Sequence, residues 1–425
     1  MFKSSKYNNL VYEANNTKYC YNAFSGELIK FTDEVYNYIR NISDNPEPEK
    51  NPYFNYLVQK GFLVDANTDE YEKIQAMRKE VQYSTNSDRA SFVIALTTKC
   101  NVKCVYCYEE GCIQNTMTSN VAKQVIEFIK KKCDSNAKLK VLNLTWFGGE
   151  PLLAMENIEL IGETLSKYCL DNGILLQTNI ITNGLLLDDE KMNILKRYNL
   201  VDVQISMDGC EDYYHKYKGV NPNALNLLIS KIAKMCLDTR ITVRLNCSSE
   251  NYESIKQLII RLYSNEIIKN NVLLSFAQLN SERVIELSNE EFSKKKIELL
   301  RFLVEIGWKN QLKNFIPVPK TIPCGLMQAV NFVIDPNGYL YKCEHFVGNS
   351  NFSIGTVEKG ILYPAFYNDF LECHMFEECK NCSIYPICRG GCSQKRFMGQ
   401  SSVSCSQKQK EIVDILRLII KENLN

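Results

Sequence analysis

The stretch Thr98-Lys-Cys-Asn-Val-Lys-Cys-Val-Tyr-Cys-Tyr108 places three cysteines, Cys100, Cys104 and Cys107, in the spacing CxxxCxxC. A structural zinc site is closed by four protein ligands, so three thiolates on one short loop fit such a site poorly. A cubane iron–sulfur cluster held by three thiolates keeps its fourth iron open to another ligand. The spacing therefore predicts a metal centre with one free coordination position.

A second motif, Trp146-Phe-Gly-Gly-Glu-Pro-Leu-Leu153, lies downstream of this loop. The paired glycines Gly148 and Gly149 allow the backbone to approach a ligand closely, and Pro151 favours a rigid turn. Alone, such a segment is more often a plain turn than a site. Its position after a cysteine loop favours a ligand-binding role, with Glu150 as the charged group.

Together, these motifs resemble the signature loop and the GGEP segment of the radical S-adenosylmethionine (SAM) enzymes, in which the open iron chelates the methionine end of SAM. The resemblance implies that Gly148, Gly149, Glu150 and Pro151 hold the methionine ammonium. It implies that Tyr106 lies on the adenine side, and shielding of the cluster from water is an equal alternative for this aromatic ring. The resemblance implies further SAM contacts near the ends of later strands. Ser206 and Asp208 are expected to contact the ribose, and Arg244 and Asn246 the carboxylate. Asn183 is a further expected SAM-binding residue.

From Ser91 onward, apolar runs of strand length alternate with amphipathic helical segments, which predicts parallel βα units. Six such units resemble the partial (β/α)6 TIM barrel of the radical SAM core, an α/β fold, and we assign it residues 89–312. Residues 1–88 predict a small α+β domain with a hairpin and short helices. It resembles the winged-helix peptide-recognition elements of peptide-modifying enzymes, but a simple N-terminal cap is an equal alternative.

Residues 313–425 contain a denser set of cysteines, and their spacing matches the pattern CX9-15GX4C, gap, CX2CX5CX3C, gap, C of the SPASM extension, with Gly338 at the glycine position. The resemblance implies two auxiliary [4Fe-4S] clusters. A first auxiliary cysteine set comprises Cys324, Cys343 and Cys392. A second auxiliary cysteine set comprises Cys379, Cys382, Cys388 and Cys405. The first set lacks a fourth ligand: either Cys373 completes it, or one iron is open and binds a substrate thiolate.

The resemblance implies a radical SAM oxidoreductase with SAM and three [4Fe-4S] clusters as cofactors. Its expected substrate is a ribosomally made precursor peptide, oxidised to a thioether or another side-chain crosslink, with a flavodoxin or ferredoxin-type electron donor. Glu344 stands where sulfatase-maturating enzymes carry an Asp proposed as the catalytic base. Formylglycine formation on a sulfatase and a non-catalytic, metal-stapled peptide-binding scaffold are the alternatives.

Bulk properties agree with this interpretation. The net charge is +1, so no basic surface excess predicts binding to nucleic acid or to an anionic membrane. The polar N-terminus lacks the apolar core of a signal peptide, and no apolar run reaches membrane-spanning length, which predicts a cytoplasmic protein. In a reducing cytosol, the 18 cysteines favour metal binding or catalysis over disulfides.

Overall fold

The structure is a computed structural model that describes residues 1–14, 17–85, 87–279, 284, 287–372, 377–399 and 405–422. Its strands are β1 (Phe2–Ser4), β2 (Asn8–Ala14), β3 (Thr17–Asn22), β4 (Leu28–Thr32), β5 (Leu63–Asp65), β6 (Arg89–Thr97), β7 (Val141–Gly148), β8 (Leu175–Thr182), β9 (Leu200–Met207), β10 (Ile241–Cys247), β11 (Val272–Gln278), β12 (Phe332–Ile334), β13 (Tyr339–Tyr341), β14 (Gly355–Thr356) and β15 (Gly360–Ile361).

The α-helices are α1 (Asp33–Arg40), α2 (Phe54–Gln59), α3 (Glu70–Tyr83), α4 (Ser119–Asp134), α5 (Met155–Asp171), α6 (Asp189–Arg197), α7 (Glu211–Lys218), α8 (Ala224–Met235), α9 (Tyr252–Tyr263), α10 (Glu266–Asn271), α11 (Asn289–Glu305), α12 (Pro364–Glu372), α13 (Tyr385–Cys388), α14 (Ser393–Phe397) and α15 (Cys405–Lys421). Within the described ranges, none of these helices is both long and apolar enough to cross a membrane.

A ten-stranded sheet forms the centre of the molecule, in the order β11-β10-β9-β8-β7-β6-β12-β13-β14-β15. Strands β6 to β11 run parallel and pair with their sequence neighbours, with helices between them. One face of each strand is fully buried, as for Phe92, Leu144, Ile180 and Val243, because the crossover helices cover it. The prediction of an α/β fold with a mostly parallel sheet is thus confirmed, and the six strands lie where the apolar runs place them.

The chain after residue 330 returns to this sheet. Strand β12 pairs in parallel with β6, with Phe332 beside Phe92, and β13 to β15 continue the sheet antiparallel. The side-chain Oδ1 of Asn331 accepts a hydrogen bond from the backbone N–H of Ser91 at 2.8 Å. The Phe332 ring packs 5.4 Å from the Phe128 ring. The C-terminal cysteine region therefore continues the barrel sheet.

Residues 1–83, called the N-terminal region below, form the predicted hairpin β2–β3, extended by β4, and a separate pair β1–β5. Helix α1 begins after Thr32, whose Oγ1 accepts from the N–H of Val35 at 3.4 Å, as its capping sequence indicates. Helix α3 was not expected from the sequence. The division at residues 88 and 312 stays a prediction.

We predict that Phe332→Ala destabilises the whole protein, because it empties the contact between β12, β6 and α4. The free energy of unfolding should fall by about 3–5 kcal/mol, measured by denaturant unfolding of the anaerobic protein. Tyr339→Ala, on the same hairpin at a partly exposed position, is the matched control and should change it by about 0.5 kcal/mol or less. Equal effects of the two substitutions would contradict the pairing of β12 with β6.

Candidate functional site

The cysteine loop follows β6 and is fixed by backbone hydrogen bonds to the end of α7. The N–H of Lys103 donates to the carbonyl of Lys218 at 3.2 Å, and the N–H of Val105 donates to that of Tyr217 at 2.9 Å. Cys100, Cys104 and Cys107 line one cavity of about 610 Å³ together with Gly149. Burial raises the pKa of the Cys107 thiol to about 11, so metal binding at this loop must displace protons.

The Gly148–Pro151 segment lies directly against this loop. The N–H of Gly149 donates to the carbonyl of Thr97, and the N–H of Glu150 donates to that of Lys99, both at 2.9 Å. A Cβ on Gly148 would meet the Thr97 carbonyl oxygen at 2.2 Å, and Gly148 has a φ of +123°. A Cβ on Gly149 would meet the Lys99 carbonyl oxygen at 2.5 Å. The two glycines are therefore required for the approach of the two loops.

Glu150 is completely buried and joins this segment to the end of β8. Its carboxylate accepts hydrogen bonds from the Thr182 hydroxyl at 2.8 Å, from the Asn183 N–H at 2.9 Å and from the Leu152 N–H at 3.1 Å. Burial raises the pKa of Glu150, although these hydrogen bonds oppose the rise. The Asn183 side chain also reaches the cysteine loop, where its Nδ2 lies 3.9 Å from Cys100 Sγ.

A second polar network, centred on the buried Asp208 and Asn246, includes Tyr106 of the cysteine loop. The Tyr106 hydroxyl donates to Asp208 Oδ2 at 2.6 Å, and Asn246 Nδ2 donates to Asp208 Oδ1 at 2.9 Å. Arg244 Nε in turn donates to Asn246 Oδ1 at 3.1 Å. The structure thus links four of the residues that the resemblance assigns to SAM, and Ser206 joins them through Lys218.

Lys218 was missed by the sequence interpretation. Its ammonium is almost wholly buried, lies 3.3 Å from Asp208 Oδ2 and donates to Ser206 Oγ at 2.9 Å. Burial alone would lower the pKa of Lys218, but the charges of Asp208 and of neighbouring groups, including Cys104, hold that pKa well above its ordinary value. In the sequence, a lysine before Gly219 resembles any basic helix end, so nothing marked it as a site residue.

The first auxiliary cysteine set meets beside the β12–β13 hairpin, which turns at Gly338 with a φ of +81°. Burial is the main cause of the raised pKa of Cys343. The charge of Glu344 and the smaller contributions of Cys324 and Cys392 raise that pKa further. The three thiols and the Glu344 carboxyl therefore lie close together. The structure does not describe Cys373, so the predicted alternative fourth ligand lies outside the described residues.

The second auxiliary cysteine set also comes together. Burial is the main cause of the raised pKa of Cys388 and of Cys405. The charges of Cys379 and Cys382 raise both pKa values further. Gln409 Nε2 on α15 donates a hydrogen bond to Cys382 Sγ at 3.6 Å. Thiolates with such outer donors are a donor set suited to iron–sulfur clusters.

Among the described residues, no three Cys, His, Asp or Glu side chains are placed to hold a single metal ion. Each cysteine that holds a cubane binds a separate iron. The cysteine Sγ atoms around a cubane therefore lie farther apart than the ligands of a single metal ion. Within each of the three sets, the cysteines lie near enough to act on one another electrostatically, and their chemistry fits iron–sulfur clusters.

Two further titratable side chains near the cysteine sets were missed by the sequence interpretation. Glu109 is buried and lines the same cavity as Cys107, and its Oε1 has no hydrogen-bond partner within the described part of the chain. Burial raises the pKa of Glu109 to about 7. Lys342, next to Cys343, is buried and donates to the carbonyl of Gln328 at 2.6 Å, and burial lowers its pKa to about 7.

Residues 94–228 match the family model of the Radical SAM superfamily. The radical SAM cyclopropyl synthase TigE of Paramaledivibacter caminithermalis is 23% identical over 434 residues, which cover 91% of this chain and 89% of TigE. A cysteine-type anaerobic sulfatase-maturating enzyme of Clostridium perfringens is 22% identical over 338 residues, covering 71% of this chain and 88% of that enzyme.

Solved structures share the fold. The structure of anSMEcpe with bound AdoMet superposes with a TM-score of 0.62 at 18% identity, covering 79% of this chain and 98% of that chain. Streptococcus suis SuiB bound to precursor peptide SuiA gives a TM-score of 0.51 at 15% identity, covering 95% of this chain and 98% of that chain. The family model spans the cysteine loop, the Gly148–Pro151 segment and the Asp208–Lys218 pair, so residues 94–228 of this enzyme form a Radical SAM domain.

Proposed function

We propose that this enzyme oxidatively modifies a peptide, installing a thioether or another side-chain crosslink on a ribosomally made precursor. The observation that carries the proposal is the grouping of three separate cysteine sets, one at the barrel and two in the C-terminal region. One cluster is sufficient to cleave SAM. Two auxiliary clusters favour an oxidative outcome, since they can accept the electron that the substrate releases.

In this proposal, Cys100, Cys104 and Cys107 would hold a cluster that supplies the electron for reductive cleavage of SAM, and the resulting 5′-deoxyadenosyl radical would take a hydrogen atom from the peptide. The chain contributes position and charge. Gly148 and Gly149 bring backbone carbonyls to the SAM ammonium, and the Glu150 carboxylate neutralises that ammonium. The polar network of Tyr106, Ser206, Asp208, Lys218, Arg244 and Asn246, of which Asp208, Lys218 and Asn246 are buried, would hold the rest of SAM.

Closing a thioether also removes the thiol proton and one further electron. Glu344, which lies next to Cys343 and acts electrostatically on Cys324, would accept that proton. The auxiliary cysteine sets would hold clusters able to accept that electron, and a flavodoxin or ferredoxin-type protein would supply the electron that starts the reaction. An open iron on the first auxiliary cysteine set would hold the substrate thiolate beside the radical.

Formylglycine formation is the second candidate, because sulfatase-maturating enzymes are among the relatives. Mass spectrometry separates the two products. Thioether formation removes one pair of hydrogens and keeps the sulfur, whereas formylglycine formation from cysteine expels the sulfur. The decisive assay uses anaerobically reconstituted enzyme, SAM, dithionite and two substrates, a cysteine-containing precursor encoded beside the enzyme and a sulfatase-derived peptide. Formylglycine on the sulfatase peptide with an unchanged precursor would overturn the crosslink proposal.

We predict that Cys104→Ala abolishes 5′-deoxyadenosine formation and lowers the iron content from about twelve to about eight per chain, because only one of three cubanes is lost. Cys133→Ala, at a buried cysteine of α4, is the matched control and should retain both. Iron analysis and chromatography of the SAM products provide the readout. Deoxyadenosine at the wild-type rate in the Cys104→Ala protein would contradict the site assignment.

A second prediction concerns Lys218. Lys218→Met leaves the Asp208 carboxylate buried without its cation, so the free energy of unfolding should fall by about 3–5 kcal/mol. The double variant Lys218→Met/Asp208→Leu should recover most of that stability, since it leaves no unpaired charge. We expect SAM affinity, measured by equilibrium dialysis, to stay low in both. Recovery of SAM affinity together with stability would show that the ion pair is only structural.

A third prediction concerns pH. The ionised form of Glu150 attracts the SAM ammonium, and burial raises the pKa of this carboxyl. As pH falls, Glu150 therefore gains its proton earlier than an exposed glutamate does, and SAM affinity should fall through that higher pKa. Glu150→Gln should bind SAM weakly at every pH and show a flatter pH profile. A wild-type profile in this variant would assign the pH dependence to another group.

A further inference from the structure

The N-terminal region packs directly on the second auxiliary cysteine set. Tyr7 and Tyr71 belong to the same buried apolar cluster as Cys379, Ile384 and Tyr385, with Cys382 and Cys388 at its edge. The Tyr71 and Tyr385 rings lie 5.3 Å apart. Cys379 is buried beneath this contact, whereas Cys405 is exposed.

Hydrogen bonds also join the N-terminal region to residues 380–385. Lys6 Nζ donates to the Lys380 carbonyl at 3.0 Å, and the Ser383 hydroxyl donates to Asn9 Oδ1 at 2.6 Å. Gln75 Nε2 donates to the Tyr385 hydroxyl at 2.8 Å. These bonds hold residues 380–385, the segment between Cys379 and Cys388, from the N-terminal side.

Helix α15 completes the enclosure. Arg417 Nε donates to the Val11 carbonyl at 2.7 Å, while Ile412, Leu416 and Ile420 pack into the same apolar cluster. Residues from both ends of the chain therefore surround the second auxiliary cysteine set. The segment with three of its four cysteines is held on one side by β2 and α3 and on the other by α15.

We propose that the N-terminal region is a wall of the second auxiliary site and that Tyr71 is the positioning residue that keeps water from the cluster side of Cys379. This inference rests on the cluster proposed above for the second auxiliary cysteine set. The potential of an iron–sulfur cluster depends on its solvent exposure and on hydrogen bonds to its sulfurs. Reduction adds negative charge, so a dry wall disfavours the reduced state and lowers the potential.

The test compares full-length, anaerobically reconstituted Tyr71→Ala, Tyr71→Phe and Tyr36→Ala proteins with wild type. Tyr36→Ala is the matched control, because Tyr36 is a partly buried tyrosine of the same region that packs in a different apolar cluster. Two quantities are measured: the midpoint potential of each cluster, by redox titration followed by electron paramagnetic resonance, and the rate at which an iron chelator removes each cluster's iron.

We expect Tyr71→Ala to move one midpoint potential to a more positive value and to release about one cluster of iron about tenfold faster. Tyr71→Phe keeps the ring and should match wild type, as should Tyr36→Ala. If Tyr71→Ala does not fold, Tyr71→Leu serves in its place, with a smaller shift in the same direction.

The outcomes separate two kinds of failure. Cys379→Ala should remove about four irons per chain. Loss of no iron in that variant would overturn the cluster assignment itself and this inference with it. Loss of that iron, combined with unchanged potentials and chelation rates in Tyr71→Ala, would overturn the wall alone and leave the proposed function intact.

Discussion

The main chains around Thr97–Lys99 and Gly148–Glu150 approach so closely that no side chain fits between them. This approach joins the ends of two neighbouring parallel strands and places the cysteine loop and Glu150 on one cavity wall. Any Cβ at either glycine would force the strand ends apart and would separate the predicted metal ligands from the predicted SAM ligands. The chemistry therefore depends on a backbone contact, which glycine alone permits.

Three buried charged side chains lie near that backbone contact. Glu150 lies on one side of the cysteine loop and the Asp208–Lys218 pair on the other, and all three side chains are withdrawn from solvent. A buried ion pair adds little stability by itself, because desolvation offsets most of its attraction. Its value here is orientation: the pair fixes Ser206 and Tyr106 and holds a permanent positive charge near Cys104.

Local patterns allowed most of the fold to be predicted. Alternating apolar runs located all six barrel strands, and the glycine turn at Gly338 located the C-terminal hairpin. The pairing of β12 with β6 could not be predicted, since it joins short segments that are distant in sequence and carry no register signal. In the site, cysteines and paired glycines stand out by their spacing. Lys218 and Glu109 do not, because their significance arises only from burial, which no local pattern records.

The pairing of β12 with β6 also affects how the chain folds during synthesis. The Ser91–Asn331 hydrogen bond spans 240 residues, so one edge of β6 stays uncovered until nearly the whole barrel has left the ribosome. At synthesis rates of about 5–20 residues per second, that interval lasts about 12–50 s. An apolar parallel strand with a free edge invites wrong pairing over such a time. Production of active enzyme should therefore depend strongly on chaperones, and slower translation should lengthen the exposure of this edge.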